Sequence, residues 1–144
     1  MSTVRLATPT DFAAMHRIRM AVKENVLSRP EAITEHDYVQ AITELGRGWV
    51  AEEEGEMAGF AIAYRNGHVW AMFVDPQKEG RGHARALHAA MVEWLREVGV
   101  THARLSTDPG TRAAAFYRQQ GWQPGEISSN GELAFELPLP RCSE

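Results

Sequence analysis

Residues 77–84 read Gln-Lys-Glu-Gly-Arg-Gly-His-Ala and place two glycines, Gly80 and Gly82, between two ordered patterns. An apolar run precedes them at residues 69–74, and a helical pattern begins near Gly82. A helix that starts after such a turn directs unpaired backbone N–H groups and the positive end of its dipole toward an anion. Glycine has no Cβ, so a phosphate can approach the backbone closely. The stretch therefore predicts a pyrophosphate site at the start of a helix.

Two common phosphate motifs do not fit this stretch. A Walker A loop requires Gly-Lys-Ser/Thr, whereas Arg81 and His83 follow the two glycines here. The Rossmann fingerprint requires a third glycine three residues after the second, and that position is Arg85. The remaining pattern is Gln-x-x-Gly-x-Gly after a strand that ends in Val-Asp-Pro, residues 74–76.

This pattern resembles the acetyl-CoA loop of the GNAT family of N-acetyltransferases, which reads Arg/Gln-x-x-Gly-x-Gly/Ala after Val-x-Pro. A second segment, residues 112–122, reads Arg-Ala-Ala-Ala-Phe-Tyr-Arg-Gln-Gln-Gly-Trp. It is similar to the family's Arg-Ala-x-x-Phe-Tyr-x-x-x-Gly-Phe segment. The two motifs occur in the family's order and spacing. The resemblance covers nearly the whole chain and is weakest in the N-terminal third.

The periodicity of apolar residues predicts the element order β-α-α-β-β-β-α-β-α-β-β in one domain, residues 1–144. Helices are predicted to begin after Thr8, near Thr34, near Gly82 and after Thr111, with Gly46 and Gly48 ending the second. The predicted strands are Val4–Ala7, Trp49–Glu53, Met57–Arg65, His68–Val74, Ala103–Ser106, Trp122–Ile127 and Glu132–Leu137. The predicted buried stripe of the third helix is Ala84, Leu87, Met91, Trp94, Leu95 and Val98. We therefore expect an α/β (α+β) fold: a mixed, mostly antiparallel sheet of six to seven strands with helices on both faces, as the resemblance also implies.

The resemblance implies that acetyl-CoA is the co-substrate. Its pantetheine arm would insert between the parallel strands His68–Val74 and Ala103–Ser106, which splay apart. The residues implied for the cofactor are Met72, Phe73, Val74, Gln77, Gly80, Arg81, Gly82, His83, Ala84, Arg85, Thr107, Arg112 and Tyr117. One position departs from the family, because Gly110 stands where an asparagine often bonds the arm. Thr107, Thr111 and Arg112 are candidates to replace that contact.

The resemblance also suggests catalytic residues. Tyr117 matches the family tyrosine that points at the CoA sulfur, and its ordinary pKa near 10 keeps it protonated as a general acid. The base is left open between His68, Glu24 and an ordered water. Glu24 and Asn25, near the end of the first helix, are the predicted acceptor-binding residues.

Composition limits the partners of this chain. A formal net charge of −4 argues against nucleic-acid binding. No run of residues is apolar and long enough to span a membrane. The single cysteine, Cys142, can form neither an internal disulfide nor a cysteine-based metal site. We therefore expect a cytoplasmic protein without a metal, and by family analogy a possible homodimer. Five basic residues surround the glycine turn: Lys78, Arg81, His83, Arg85 and His88. Of these, Lys78 and His88 are expected to lie on a solvated helix face.

The sequence leads to one function and two alternatives. It predicts an acetyl-CoA-dependent N-acetyltransferase that acts on a primary amine of an unidentified small molecule or peptide, by direct transfer in a ternary complex. The alternatives are a non-catalytic acyl-CoA-binding sensor and a transferase for another acyl-CoA. Acidic residues in the first third of the chain favour a cationic amine.

Overall fold

The structure is a computed structural model and describes residues 3–21, 35–129 and 131–139. The strands are β1 (Thr3–Leu6), β2 (Gly46–Glu53), β3 (Glu56–Tyr64), β4 (Val69–Val74), β5 (His102–Thr107), β6 (Gln123–Ile127) and β7 (Leu133–Pro138). The helices are α1 (Phe12–Ala21), α2 (Glu35–Gln40), α3 (His83–Glu97) and α4 (Arg112–Gln119). The predicted element order and fold class are confirmed.

The strands form two antiparallel sheets. The first has the order β1-β2-β3-β4 and the second the order β5-β7-β6. Across the described part of the chain, β4 and β5 are joined by one parallel bridge, between His68 and Arg104. The chain thus builds a mixed sheet that is interrupted between its fourth and fifth strands.

Strand β3 is buried on both faces because helices cover both sides of the first sheet. Phe60 and Ile62 point to the core beneath α1 and α2, while Ala61 and Ala63 point to the core beneath α3. Successive side chains of a strand alternate between faces, which produces this division. The small alanines lie on the side where α3 packs against β2, β3 and β4.

Helix α3 buries most of its predicted stripe. Leu87, Met91 and Leu95 are fully buried. Val98 was expected in this stripe, and that prediction is wrong: the helix ends at Glu97, and Val98 is 42% exposed at the C-cap. Gly99 follows with φ of 91°, a conformation that suits glycine at a helix end.

The prediction that His88 is solvated is also wrong. Its side chain is buried, and Nε2 accepts a hydrogen bond of 2.9 Å from Nε1 of Trp122. Burial lowers the pKa of His88 to about 4, so the ring is neutral at pH 7 and can accept this bond. His88 therefore links α3 to the residue that precedes β6.

Element ends near the second helix differ from the prediction. The helix α2 ends in a wider π-helical turn at Ala41–Leu45. Gly46 and Gly48, expected to terminate the helix, instead lie within β2. A Cβ at position 46 would lie 1.9 Å from the carbonyl oxygen of Ala63, so this glycine lets β2 approach β3 closely. None of the helices in the described ranges is long and apolar enough to cross a membrane.

The contact between β3 and β4 yields a stability prediction. A Cβ at Gly59 would lie 2.7 Å from the carbonyl oxygen of Phe73 and 3.2 Å from Cα of Val74, both in the backbone of β4. Since a backbone cannot move aside as a flexible side chain does, we expect Gly59→Ala to lower the free energy of unfolding by about 2 kcal/mol. Urea denaturation measures this difference. Gly125→Ala is the matched control, because its nearest neighbour is 3.7 Å away. Equal midpoints for the two variants would contradict the prediction.

Candidate active site

A cleft opens where β4 and β5 separate. Beyond the bridge between His68 and Arg104, β4 pairs with β3 along one edge, and no described strand continues along its other edge. The cleft has a volume of about 520 Å³, within the range of small-molecule sites. Its walls are the end of β4, the following loop, the first turn of α3, and α4.

The loop after β4 leaves the start of α3 open to this cleft. Asp75 accepts a hydrogen bond of 3.0 Å from the backbone N–H of Gln77, which fixes the beginning of the loop. Gly80 and Gly82 adopt left-handed φ values of 77° and 88°. Apart from the adjacent residues, no described residue has an atom within 4 Å of a Cβ built at either position. Gly82 is the N-cap and offers no side chain to the first helical N–H groups, so an external anion can bind them.

Glu53, at the end of β2, anchors this loop through contacts with His83 and Arg81. His83 is 1% exposed, and its Nε2 lies 2.8 Å from one carboxylate oxygen of Glu53. Arg81 donates a hydrogen bond to the other oxygen. The His83 hydrogen bond and the Arg81 guanidinium lower the pKa of Glu53, which stays ionised at neutral pH. No sequence motif pointed to Glu53, because it lies 30 residues from His83 along the chain.

Cationic side chains flank the mouth of the cleft. Lys78, Arg85 and Arg112 line it, and Arg112 forms an ion pair with Glu79 of the loop. The expectation that Lys78 lies on a solvated helix face is wrong, since its side chain is 19% exposed and lines the cleft. The predicted cofactor-binding residues Gln77 and Arg81 are not among the residues that line the cleft.

Tyr117 closes the inner end of the cleft. Its side chain is buried, and its ring packs between Phe116, Trp122 and Phe135 at centroid distances of 5.5–6.0 Å. Its hydroxyl has no hydrogen-bond partner among residues 3–21, 35–129 and 131–139. Burial raises the pKa of Tyr117 above its ordinary value, so the phenol remains protonated.

A smaller cavity of about 50 Å³ lies directly between β4 and β5. The buried residue Thr107 lines it, together with Met72, Phe73 and Tyr117. Thr111 has a structural role instead: its hydroxyl accepts from the N–H of Ala114 at 3.2 Å and caps α4. Of the three candidates to replace the missing asparagine contact, Thr107 and Arg112 line the two cavities.

His68 lies at the closed end of the gap, where β4 and β5 meet. The Oδ1 of Asn66 accepts its backbone N–H at 3.0 Å, and its ring packs edge-on against Tyr64 at 5.6 Å. Burial and the nearby charge of Arg104 lower the pKa of His68, so the ring is neutral at pH 7. A neutral imidazole can accept a proton.

The predicted acceptor residues Glu24 and Asn25 lie outside the described residues. No group of three or more metal-ligating side chains occurs within the described part of the chain. The cleft thus combines an open helix terminus, flanking cations, a strand edge without a partner among the described strands, and a protonated phenol.

The family model described as "Acetyltransferase (GNAT) family" matches residues 12–122, more than half of the chain. This chain belongs to the GNAT acetyltransferase family. It is 30% identical to the aminoglycoside N(6')-acetyltransferase type 1 of Stenotrophomonas maltophilia, over 95% of this chain and 94% of that protein. The activity class of the family is therefore N-acetyl transfer.

Solved structures share the fold of this GNAT protein. The ribosomal-protein-S18-alanine N-acetyltransferase from Escherichia coli superposes with a TM-score of 0.78 at 23% identity, covering 100% of this chain and 97% of that one. The structure of YncA from Salmonella typhimurium with its cofactor acetyl-CoA superposes with a TM-score of 0.81 at 18% identity, with the same coverage.

Proposed function

We propose that this GNAT protein transfers the acetyl group of acetyl-CoA directly to a primary amine bound in the same complex. The observation that carries the proposal is the cleft between β4 and β5, with the open N-terminus of α3 at one end and Tyr117 at the other. The acetyltransferase relative and the neighbour that holds acetyl-CoA support this assignment.

The residues around the cleft fit acetyl-CoA. The first backbone N–H groups of α3, with Arg85 and Arg112 beside them, would hold the pyrophosphate. The free edge of β4 at Met72–Val74 offers backbone groups to the amides of the pantetheine arm. Thr107 lies where it could bond the arm between the strands. The thioester supplies an activated acetyl group at the inner end of the cleft.

Two side chains would move protons during transfer. His68, neutral at pH 7, would take the proton of the attacking ammonium group, directly or through a water. As the amine nitrogen bonds to the acetyl carbon and the carbon–sulfur bond breaks, Tyr117 would give its proton to the leaving sulfur. The second proton that the nitrogen loses would then return to the Tyr117 oxygen, directly or through a water, and His68 would release its proton to solvent. Each proton thus has a donor and an acceptor within the chain.

We expect Gly82→Glu to abolish acetyl-CoA binding, because a carboxylate at the start of α3 would repel the pyrophosphate and fill the space next to it. Isothermal titration calorimetry of the wild type and the variant measures this loss. Gly99→Glu is the matched control. Gly99 has a similar φ of 91° and equally open surroundings, but it lies at the opposite end of α3. Binding by Gly82→Glu at wild-type affinity would refute the loop assignment.

We expect Tyr117→Phe to lower kcat by about 100-fold while the Kd for acetyl-CoA stays the same, because the leaving sulfur loses its proton donor. Thiol release from acetyl-CoA in the presence of an accepted amine measures kcat. The melting temperature of the variant should equal that of the wild type, because the deleted hydroxyl makes no hydrogen bond within the described residues and the ring contacts remain. A fully active variant would exclude Tyr117 as the acid. An absence of turnover in a wild type that binds acetyl-CoA would favour the sensor alternative.

The pH dependence of kcat/KM tests His68 as the base. Its lowered folded-state pKa predicts an acid limb whose midpoint lies below 6.5, with full activity above it, since only the neutral ring accepts a proton. His68→Gln should lower kcat/KM at pH 7 by at least about 10-fold and remove this limb. An unchanged acid limb in the variant would assign the base to another group.

A further inference from the structure

Arg19 of α1 is a buried cation that has no charged partner in the described part of the chain. The residue is 8% exposed, and its Nε and Nη1 atoms have no hydrogen-bond partner among the residues that the structure describes. The guanidinium carbon lies 5.3 Å from the ring centre of Trp70 and 5.0 Å from that of Phe73. No carboxylate forms a salt bridge with it within residues 3–21, 35–129 and 131–139.

This environment does not compensate the charge. Aromatic rings attract a guanidinium, but they do not supply acceptors for its N–H groups. The Tyr38 hydroxyl can accept a hydrogen bond from Arg19, but burial raises the pKa of both Tyr38 and Tyr64, so these hydroxyls stay neutral and supply no countercharge. A buried charge is unfavourable unless it is paired and hydrogen-bonded. The cluster of Arg19, Trp70 and Phe73 therefore has the character of a binding site for an anion.

The cluster adjoins the proposed site of transfer. Trp70 and Phe73, which flank Arg19, also line the small cavity between β4 and β5 together with Tyr117. Trp70 is the bulged residue of β4, because Val69 pairs with Ala63 and Ala71 pairs with Ile62. Arg19 thus lies beside β4 on the α1 side, whereas the phosphate loop leads into α3, which packs on the other face.

The proposed base lies next to the same aromatic surface. Tyr64 packs edge-on against His68 at 5.6 Å and stacks on Trp70 at 6.2 Å with an interplanar angle of 20°. Both Tyr64 and Trp70 are half-buried. A small acceptor on this surface could direct its amine toward His68 and an anionic group toward Arg19.

We propose that the acceptor is an amine that also carries a carboxylate, such as an amino acid, and that Arg19 binds this carboxylate. The inference rests on the proposed acetyl transfer. A planar, singly charged carboxylate matches a single planar guanidinium between aromatic rings, whereas a phosphate would leave excess negative charge in an apolar surrounding. A cationic acceptor, which the acidic N-terminal third favours, would be repelled at this position.

Matched acceptors test the inference. Alanine and ethylamine, phenylalanine and phenethylamine, and lysine and cadaverine differ by the carboxylate alone. We expect kcat/KM for the best amino acid to exceed that of its decarboxylated counterpart by about 30-fold or more, as measured by thiol release and mass spectrometry of the product. Phosphoethanolamine compared with ethanolamine tests for a phosphate instead. A greater preference for phosphoethanolamine would overturn the carboxylate assignment.

Arg19→Met should remove the preference by lowering kcat/KM for the amino acid to that of the amine. It should lower kcat/KM for the amine much less than kcat/KM for the amino acid. The melting temperature should be unchanged or higher, because Arg19 has no carboxylate partner among the described residues. Arg19→Lys, which keeps a charge but not the planar donors, should retain part of the preference. Arg47→Met is the control, since Arg47 also stacks on a tryptophan, at 5.4 Å from Trp94, away from the cleft.

Calorimetric titration of the same amino acids into the protein saturated with coenzyme A tests the carboxylate site separately from acetyl transfer. Arg19-dependent binding without thiol release would uphold the carboxylate site and refute acetyl transfer. Transfer with equal rates for acids and amines, or equal losses on both substrates in Arg19→Met, would refute the carboxylate site and leave acetyl transfer intact. The absence of both binding and transfer would overturn both.

Discussion

The gap between β4 and β5 is the constraint on which the rest of the molecule depends. These strands meet at the bridge between His68 and Arg104 and then diverge, so the end of β4 has a backbone edge without a described strand partner. Buried backbone groups require hydrogen-bond partners. An extended ligand that carries amides can supply them, which is why this break in the sheet suits a pantetheine arm better than a side chain of the protein would.

Around this gap, β4 separates two chemically different environments. On the α3 side, an open helix terminus and flanking cations suit a polyphosphate. On the α1 side, tyrosine, tryptophan and phenylalanine rings surround one arginine. The bulge at Trp70 interrupts the pairing of β4 with β3 next to both environments. Such an arrangement suits direct transfer, because two substrates can approach one point from opposite faces.

The phosphate loop is supported by tertiary contacts as well as by its glycines. Glu53 bonds to both His83 and Arg81, and Arg112 pairs with Glu79 across the mouth of the cleft. A binding loop that is held before the ligand arrives loses less conformational entropy on binding. The carboxylates near an anion site thus orient the loop, at the cost of some local negative charge.

The sequence by itself determined the element order, the turn at Gly80 and Gly82 and the family, because these features rest on local periodicity and on closely spaced residues. It misplaced element ends such as Gly46 and Val98, where a neighbouring strand and the exact end of a helix matter more than local preference. Only the tertiary structure decided which distant residues meet. It joined His83 to Glu53, His88 to Trp122 and Arg19 to the rings of β4. Burial, which turns these side chains into partners and shifts their pKa values, is a property of packing and cannot be read from spacing along the chain.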